Sequence, residues 1–335
     1  MKRYNFAIVG ATGMVGRNFL MVMEEYNIPV DNLYLFASKK SAGKHLTYCG
    51  KSYHVLELTE NSFKEHKIDI ALFSAGGAIS EKYAPLAAKE GVVVIDNSSA
   101  WRMDKDVPLI VPEVNPQAIC EYSKKNIIAN PNCSTIQAMP VLKAILDYCG
   151  IKRVVYSTYQ AVSGAGKQGC EDLTNGLSGE PQKKFPHMIA FNCIPHIDVF
   201  LDNGYTKEEM KMVNETRKIL GVPDMRITAT AVRVPVYNGH SESINVETER
   251  DFDIDELRRR LDEMPGVEVE DDVNNNLYPM PINATGRDEI FVGRIRRDES
   301  VEHGVNLWVV ADNLRKGAAS NAVQIANLLI NYWEK

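Results

Sequence analysis

Short apolar runs alternate with longer segments of mixed polarity through the first 130 residues. Nearly unbroken apolar runs are typical of parallel strands that are covered on both faces. They predict strands at 6–9, 33–36, 68–73 and 92–96, with helical segments between them. The first of these helices carries Phe19, Leu20, Val22 and Met23 at helical spacing. The pattern therefore predicts a doubly wound α/β domain.

From about residue 131 the pattern changes. Segments 153–160, 226–234 and 242–248 alternate between apolar and polar residues, as half-buried strands do. Sheets of this kind with helices behind one face make an α+β domain. A last helical pattern at 317–333 predicts a helix that returns to the first domain. We therefore expect a first domain of 1–131, completed by 313–335, and a second domain of 132–312.

Composition narrows the class of protein. The chain has 335 residues, 44% hydrophobic and 24% charged, with a formal net charge of -6. A negative net charge does not favour the binding of nucleic acid. No stretch reaches the roughly 20 apolar residues of a membrane span. Its six cysteines form no C-x-x-C pair, so no metal site is predicted and a reducing cytoplasm is expected.

A glycine turn follows the first predicted strand. Gly10, Gly13 and Gly16 have the spacing G-x-x-G-x-x-G and precede a helix. Glycines let the backbone approach a pyrophosphate, and the helix N-terminus supplies partial positive charge. Such a triplet also occurs where chains simply pack closely, but its place after the first strand favours a dinucleotide site.

The loop after the second strand bears on the choice of cofactor. An NAD-specific fold usually places a carboxylate there, but segment 37–43 contains none. Ser38, Lys39, Lys40 and Ser41 instead suit a 2'-phosphate by charge and hydrogen bonding. The alternative is an ordinary solvated loop. The segment therefore favours NADP over NAD.

Cys133 is the candidate nucleophile. It lies in segment 130–137, where an Asn- and Pro-rich turn meets a helical pattern, and Ser134 and Thr135 are good N-cap residues. The N-H groups of a helix N-terminus favour a thiolate and can hold an oxyanion. The alternative is a buried cysteine that acts as a small apolar residue.

His240 is a candidate partner for this thiol. It follows a glycine turn, seven residues after Arg233. A histidine can act as a base near neutral pH, and an arginine can bind a carboxylate with two hydrogen bonds. His187, His196 and His303 remain alternatives. Arg102 lies beyond the carboxyl end of a predicted strand, where open α/β sheets bind ligands.

Six segments together resemble the aspartate-semialdehyde dehydrogenase family, in the family's order and nearly end to end: 10–16, 97–102, 130–135, 159–164, 233–240 and 312–317. The resemblance implies a glyceraldehyde-3-phosphate-dehydrogenase-like fold, with a Rossmann-type domain and an α+β catalytic and dimerisation domain. It implies an NADP-dependent, reversible reductive dephosphorylation of L-aspartyl 4-phosphate to L-aspartate 4-semialdehyde. That reaction serves the biosynthesis of lysine and diaminopimelate, threonine, methionine and isoleucine. It also implies a homodimer.

The resemblance further implies roles for single residues. Cys133 would form the acyl-thioester, His240 would move the proton of the hemithioacetal oxygen, and Gln160 would orient the thioester. Arg233 and Glu208 would hold the substrate's α-carboxylate and α-amino group. Arg102 and Lys211 would bind the phosphate. The cofactor would contact Gly10, Thr12, Gly13, Met14, Val15, Ser38, Lys40, Ser41, Ser163, Gly164 and Asn313. The family commonly carries an arginine in the ribose loop, so Lys39 and Lys40 imply a looser NADP preference.

Three alternatives remain open. An N-acetyl-glutamyl-phosphate reductase shares the fold and the thioester chemistry, but segment 132–135 favours the aspartyl enzyme. A short-chain dehydrogenase would need Tyr148 and Lys152 on one helix, which Gly150 is expected to end. A non-catalytic NADP-binding sensor would be expected to lack an intact Cys-His pair. The sequence leaves the order of segment 266–276 undecided.

Overall fold

The computed structural model describes residues 2–335. The chain divides into two compact units, one running up to Asn132 and including Ala318–Lys335, the other formed by Cys133–Gly317. The first contains a seven-stranded sheet and the second a six-stranded sheet. The predicted fold class, an α/β domain followed by an α+β domain, is confirmed. No helix within residues 2–335 combines the length and the apolar character that crossing a membrane requires.

The sheet of the first unit is parallel except for one hairpin. Its strands are β1 (Tyr4–Val9), β2 (Val30–Ala37), β3 (His45–Tyr48), β4 (Lys51–Glu57), β5 (Ile70–Phe73), β6 (Val93–Asp96) and β7 (Ile127–Ala129). They pair in the order β3-β4-β2-β1-β5-β6-β7, with only β3 and β4 antiparallel. The four predicted strands are β1, β2, β5 and β6. The hairpin and β7 were not predicted from the hydrophobic pattern.

Helices cover this sheet. They are α1 (Met14–Glu25), α2 (Ser62–Glu65), α3 (Gly77–Lys89) and a C-terminal helix (Asn321–Trp333), and 3-10 turns occupy Lys39–Ser41 and Pro116–Lys124. Val323 and Leu329 of the C-terminal helix share one apolar core with Phe19 and Met23 of α1. The C-terminal helix therefore packs within the first unit.

The second unit is built on a mixed sheet. Its strands are β8 (Arg153–Gln160), β9 (Arg226–Arg233), β10 (His240–Glu247), β11 (Val267–Val269), β12 (Ile290–Arg297) and β13 (Gly304–Ala311), in the order β11-β12-β13-β10-β8-β9. Its helices are α4 (Cys133–Cys149), α5 (Lys167–Leu177), α6 (Lys207–Leu220), α7 (Ile254–Asp262) and α8 (Pro281–Ala284). Shorter helical turns are Val162–Ala165, Val273–Asn275 and the π-turn Arg315–Ser320. The undecided segment 266–276 forms β11 and a 3-10 turn.

Buried and more exposed residues alternate along β8 of the second sheet, and the buried ones face α4. Val154, Tyr156, Thr158 and Gln160 of β8 are buried, whereas the residues between them are more exposed. The helix itself ends at Cys149, and Gly150 has a φ of +75°. Lys152 already belongs to the following segment, where its ammonium pairs with Glu247 at 2.5 Å. The Tyr-Lys pair of a short-chain dehydrogenase is therefore excluded.

Candidate active site

Cys133 is the first residue of α4, and its side chain is half-buried. Ser134 and Thr135 were predicted as N-cap residues, but the helix already begins at Cys133. Both residues lie in its first turn and are fully buried. A Cβ built at Gly317 would lie 3.0 Å from the Cβ of Cys133. The thiol therefore lies at a helix N-terminus, against a backbone that leaves room for it.

Three predicted site residues form one row across neighbouring strands. Gln160 of β8 pairs with Arg233 of β9. Ser241 of β10 pairs with Tyr159, so His240 lies beside Gln160 in the same register. The row therefore joins Arg233, Gln160 and His240 on the buried face of the sheet. Of the alternative histidines, His196 stacks on Phe200, His303 lies 3.7 Å from Asp251, and His187 is exposed.

The imidazole of His240 is fully buried, and its Nδ1 accepts a hydrogen bond from the backbone N-H of Ala161 at 3.0 Å. A backbone N-H can only donate, so Nδ1 carries a lone pair and the neutral ring holds its proton on Nε2. Burial lowers the pKa of His240 well below its ordinary value, and the Arg233 charge lowers this pKa further. This tautomer favours a donor role over the role of base for the thiol.

Arg233 is buried near Glu208 and Cys133. Its Nη1 donates to the carbonyl of Ala161 at 2.8 Å. Burial lowers the pKa of Arg233, while the charges of Glu208 and Cys133 act in the opposite direction. The guanidinium therefore lies where it can interact with both the nucleophile and Glu208.

Gly164 borders both basic groups. A Cβ built there would lie 2.8 Å from Nη1 of Arg233 and 3.3 Å from Nε2 of His240. Any larger residue would push against both side chains. The absence of a side chain at this position leaves room beside both groups.

Glu208 and Lys211 lie one turn apart on α6, whose start is fixed by a capping box between Thr206 and Glu209. The Lys211 ammonium contacts Glu208 at 2.9 Å and Asp198 at 2.8 Å. Burial lowers the pKa of Lys211, but the two carboxylates outweigh it and the pKa is raised. The pair is thus a largely buried part of the site rather than a surface salt bridge.

The remaining polar contacts join these groups together. Gln160 donates through Nε2 to Glu208 at 3.4 Å. Asn313 donates to the Ser163 hydroxyl at 2.9 Å and accepts from the Gly239 N-H at 2.9 Å. Asn313 and Ser163, both predicted to contact the cofactor, are therefore bonded to each other and to the turn before His240.

In the first unit, two of the three glycines are required by packing. Gly10 has a φ of +86°, and a Cβ there would lie 2.3 Å from the Ser74 carbonyl. A Cβ at Gly16 would lie 2.3 Å from the Gly10 carbonyl. Gly13 is exposed and precedes α1, whose first residues are Met14 and Val15. Close packing and an open helix N-terminus therefore occur in the same turn.

A cavity of about 410 Å³ opens beside this turn. Its lining comes from the turn, the end of β2 and the segments after β4 and β5: Val9, Gly10, Thr12, Gly13, Ala37, Ser38, Leu58, Ser74, Ala75, Ile79 and Tyr83. Lys40 and Ser41 belong to the 3-10 turn that follows Ser38, and Lys40 is exposed. Glycine backbone and hydroxyl groups line this cavity at a helix N-terminus, which fits a dinucleotide.

Arg102 is buried in the first unit, at the loop after β6. Its guanidinium donates to the carbonyls of Asn130 at 2.9 Å and Asn97 at 2.8 Å. These bonds hold the arginine in a defined position, as a group that binds an anion requires.

Several supporting residues were not predicted. They are the backbone of Ala161, the Asp198 carboxylate beside Lys211, and Phe185, whose ring lies 5.9 Å from the guanidinium carbon of Arg233. A backbone N-H and a contact between distant segments leave no motif in a single sequence. Glu242 was also missed, although its place two residues after His240 on an alternating strand puts it on the same face.

Two family models match the chain. Residues 5–122 match "Semialdehyde dehydrogenase, NAD binding domain", and residues 142–316 match "Semialdehyde dehydrogenase, dimerisation domain". Together they span most of both units.

Relatives and solved structures agree with these models. The chain is 62% identical to the aspartate-semialdehyde dehydrogenase of Aquifex aeolicus, over 98% of each chain, and 48% identical to that of Bacillus subtilis, over 96% of each. The crystal structure of aspartate semialdehyde dehydrogenase II from Vibrio cholerae, complexed with ASA, matches with a TM-score of 0.95 and 50% identity over 99% of each chain. The Candida albicans enzyme with NADP matches with a TM-score of 0.76 and 25% identity over 98% of each.

Proposed function

Because the chain belongs to the aspartate-semialdehyde dehydrogenase family, we propose that it reduces L-aspartyl 4-phosphate to L-aspartate 4-semialdehyde and phosphate, with NADPH as the reductant. The reverse reaction oxidises the semialdehyde in the presence of phosphate. One observation carries this proposal: Arg233, Gln160 and His240 form one row on the buried face of the second sheet.

Cys133 is the nucleophile of this reaction. Its thiolate attacks the acyl carbon of the substrate, a C-S bond forms, and the C-O bond to phosphorus breaks with its electron pair on the departing phosphate. The phosphate takes up the proton that balances the reaction. After reduction of the thioester carbon, the hemithioacetal oxyanion re-forms a carbonyl, the C-S bond breaks, and the thiolate returns. A thiolate suits both steps because it is a good nucleophile and a good leaving group.

The residues around Cys133 bind and orient the substrate. Arg233 binds the α-carboxylate and Glu208 the α-amino group, because these groups carry the opposite charges. His240 donates through Nε2-H to the carbonyl oxygen as negative charge develops there. Gln160 orients the acyl group, and Arg102 and Lys211 bind phosphate. The Lys211 ammonium contacts Asp198 at 2.8 Å. This contact must loosen before Lys211 can bind phosphate.

The cofactor site fits NADP. The backbone from Gly10 to Val15 would hold the pyrophosphate, Ser38, Lys40 and Ser41 the 2'-phosphate, and Ser163, Gly164 and Asn313 the nicotinamide end. The bound cofactor supplies the hydride. The structure of the Candida albicans relative with NADP supports this choice. We therefore assign cofactor binding to the domain of residues 1–131 and 313–335. The domain of residues 132–312 carries the catalytic residues.

A homodimer is part of the proposal. The face of the second sheet that turns away from α4 carries Tyr159 and Trp308, whose rings lie 5.5 Å apart, and Tyr159 is 39% exposed. Paired sheets of two copies would bury these rings, and the family model for this part is a dimerisation domain. Tyr159→Glu should therefore convert a dimer to a monomer in analytical ultracentrifugation; a dimer that persists would rule out this interface.

We place the reaction in the cytoplasm. All six cysteines are free thiols, and three of them are exposed. Free thiols persist in a reducing compartment.

The experiment that tests the function measures NADPH formation from aspartate semialdehyde with and without phosphate. The intact protein should require phosphate, and Cys133→Ala should lose turnover by about 10⁴-fold or more because the covalent route is gone. Cys193→Ala removes an exposed free thiol and serves as the matched control, with turnover within about twofold. Turnover that is indifferent to Cys133 would reject the thioester mechanism.

A further inference from the structure

A carboxyl group with no assigned role lies directly behind the active-site row. Glu242 of β10 is 0% exposed. It pairs with Thr158 on β8 and with Val309 on β13, so it occupies the row next to that of Gln160 and His240, on the same buried face. Helix α4 covers this region, since Gln137 of α4 lies 3.4 Å from the carbonyls of His240 and Val309.

The groups around Glu242 do not compensate a negative charge. From α4 comes the neutral Ser134 hydroxyl, whose proximity lowers the pKa of the carboxyl group, while neither carboxyl oxygen of Glu242 makes a hydrogen bond of ordinary geometry. From α6, Glu208 contributes a second negative charge. From β8 come the neutral Thr158 and the buried phenol of Tyr156, which bonds to Thr216 at 2.9 Å. On β10 itself, His240 is neutral in the tautomer that Ala161 imposes.

An ionised carboxylate is costly in such surroundings, whereas a carboxylic acid is a neutral group with one O-H donor. Burial raises the pKa of Glu242 well above its ordinary value; the nearby Ser134 hydroxyl lowers this pKa, and the charge of Glu208 raises it. Glu242 therefore presents a donor and an acceptor to the first turn of α4, one residue after the nucleophile.

We propose that Glu242 is a positioning residue that keeps its proton and, through Ser134, holds the first turn of α4 in the geometry that Cys133 needs. The proposal rests on the function given above, since it assumes that Cys133 is the nucleophile. A neutral Glu242 also places no negative charge beside the thiolate. The helix N-terminus and Arg233 therefore stabilise the thiolate of Cys133 without repulsion from a carboxylate.

Two variants separate the proton from the side chain. Glu242→Gln is a neutral isostere that keeps a donor and an acceptor, and it should retain kcat within about threefold. Glu242→Leu has similar bulk but cannot bond to Ser134, and its kcat should fall about tenfold or more with KM within about twofold. Rescue by Gln and loss in Leu together support the proposal. Equal loss in both, or wild-type activity in Leu, overturns it.

A second measurement needs no turnover. The pH midpoint of Cys133 alkylation by iodoacetamide, followed by mass spectrometry of the Cys133 peptide, should agree within about 0.3 pH units between the wild type and Glu242→Gln. If Glu242 were ionised, removing its charge would lower this midpoint by about one unit or more, and the proposal would be wrong. Because alkylation requires no substrate, this result is independent of whether the enzyme turns over aspartate semialdehyde.

Thermal unfolding provides a third readout. A folded-state pKa raised above the unfolded value contributes stability below about pH 4.5, which is lost as the pH rises towards the folded pKa. Glu242→Gln does not titrate, so its melting temperature should match that of the wild type near pH 4.5 and exceed it by about 2 °C or more at pH 8. A difference that does not change with pH would overturn the proposal, even if the Leu variant fails to fold.

Discussion

The backbone N-H of Ala161 donates to Nδ1 of His240 at 3.0 Å, and the carbonyl of the same residue accepts from Arg233 at 2.8 Å. One peptide segment therefore sets the tautomer of the imidazole and the position of the guanidinium. Since Nδ1 is an acceptor, the imidazolium form would place two N-H groups against each other. His240 is consequently a donor through Nε2, suited to the oxygen of the substrate carbonyl.

The donor role of His240 predicts a specific kinetic defect. His240→Ala should lower kcat by about 100- to 1000-fold, the range for loss of one oxyanion donor, with little change in KM for aspartate semialdehyde. Steady-state kinetics would test this, with His303→Ala as the control because that imidazole lies beside Asp251. If His240 instead activated the thiol as a base, alkylation of Cys133 at pH 7 would also slow markedly in the alanine variant.

The lowered pKa of His240 also predicts the sign of a stability change. The unfolded residue gains a proton near pH 6.5, but the folded residue does so only at lower pH. The neutral buried ring therefore contributes stability that is present above about pH 6.5 and is lost as the pH falls towards the folded pKa. Melting temperatures between pH 7.5 and 5.5 should fall less steeply in His240→Gln than in the wild type. Parallel curves would contradict this.

The sequence predicted single elements of the fold better than the arrangement of the candidate site. The bounds of β8 matched the predicted segment because its residues alternate cleanly between faces, and Cys133 was placed correctly at a helix start because the apolar run of α4 is long. The row of Arg233, Gln160 and His240 depends on the register of three strands, which contacts between distant segments determine.

Other features lay beyond the reach of pattern reasoning for identifiable reasons. Strands β3 and β7 have only four and three residues, and β4 buries only Val55 of its seven, so their hydrophobic patterns do not stand out. The tautomer of His240 depends on a backbone group, which has no residue identity. Ser134 and Thr135, good N-cap residues by type, instead lie in the first turn of α4 and are buried.

Arg233 is predicted to be irreplaceable by lysine. A lysine would keep the charge but lose the two-point contact with a carboxylate and the bond to the Ala161 carbonyl. Arg233→Lys should raise KM for aspartate semialdehyde about 10- to 100-fold, which corresponds to the loss of a charge-assisted hydrogen bond. Arg226→Lys, at the exposed start of the same strand, is the control and should change KM less than twofold. If the two variants had equal KM values for aspartate semialdehyde, Arg233 would not bind the substrate carboxylate.

Asp172 on α5 is predicted to support Arg233 from a distance. Burial alone would raise the pKa of Asp172, but N-H groups of Lys183, Lys184 and Phe185 at 2.6–2.9 Å outweigh it and the pKa is lowered. These bonds hold the segment whose Phe185 ring lies 5.9 Å from the guanidinium carbon of Arg233.

Asp172→Asn should therefore raise KM for aspartate semialdehyde about three- to tenfold and cost about 1.5–3 kcal/mol of stability at pH 7, because a charged acceptor of three bonds is lost. The stability difference should shrink as the pH falls below about 4, because the unfolded carboxylate gains a proton there and the folded one does so only at lower pH. Glu171→Gln, on the neighbouring exposed residue, is the control for both measurements. An unchanged KM beside a large loss of stability would limit Asp172 to a role in folding.

The cofactor preference is predicted to depend on the 3-10 turn after β2. Lys40 is exposed there and follows Ser38, which lines the cavity beside the glycine turn. Lys40→Ala should raise KM for NADPH about tenfold through the loss of a charged partner of the 2'-phosphate, while KM for NADH changes less than twofold. Lys44→Ala removes an exposed lysine four residues later and controls for the general loss of positive charge. If Lys40→Ala raised KM equally for NADPH and NADH, Lys40 would not contact the 2'-phosphate. If Lys40→Ala and Lys44→Ala raised KM for NADPH equally, the effect would be nonspecific electrostatic attraction.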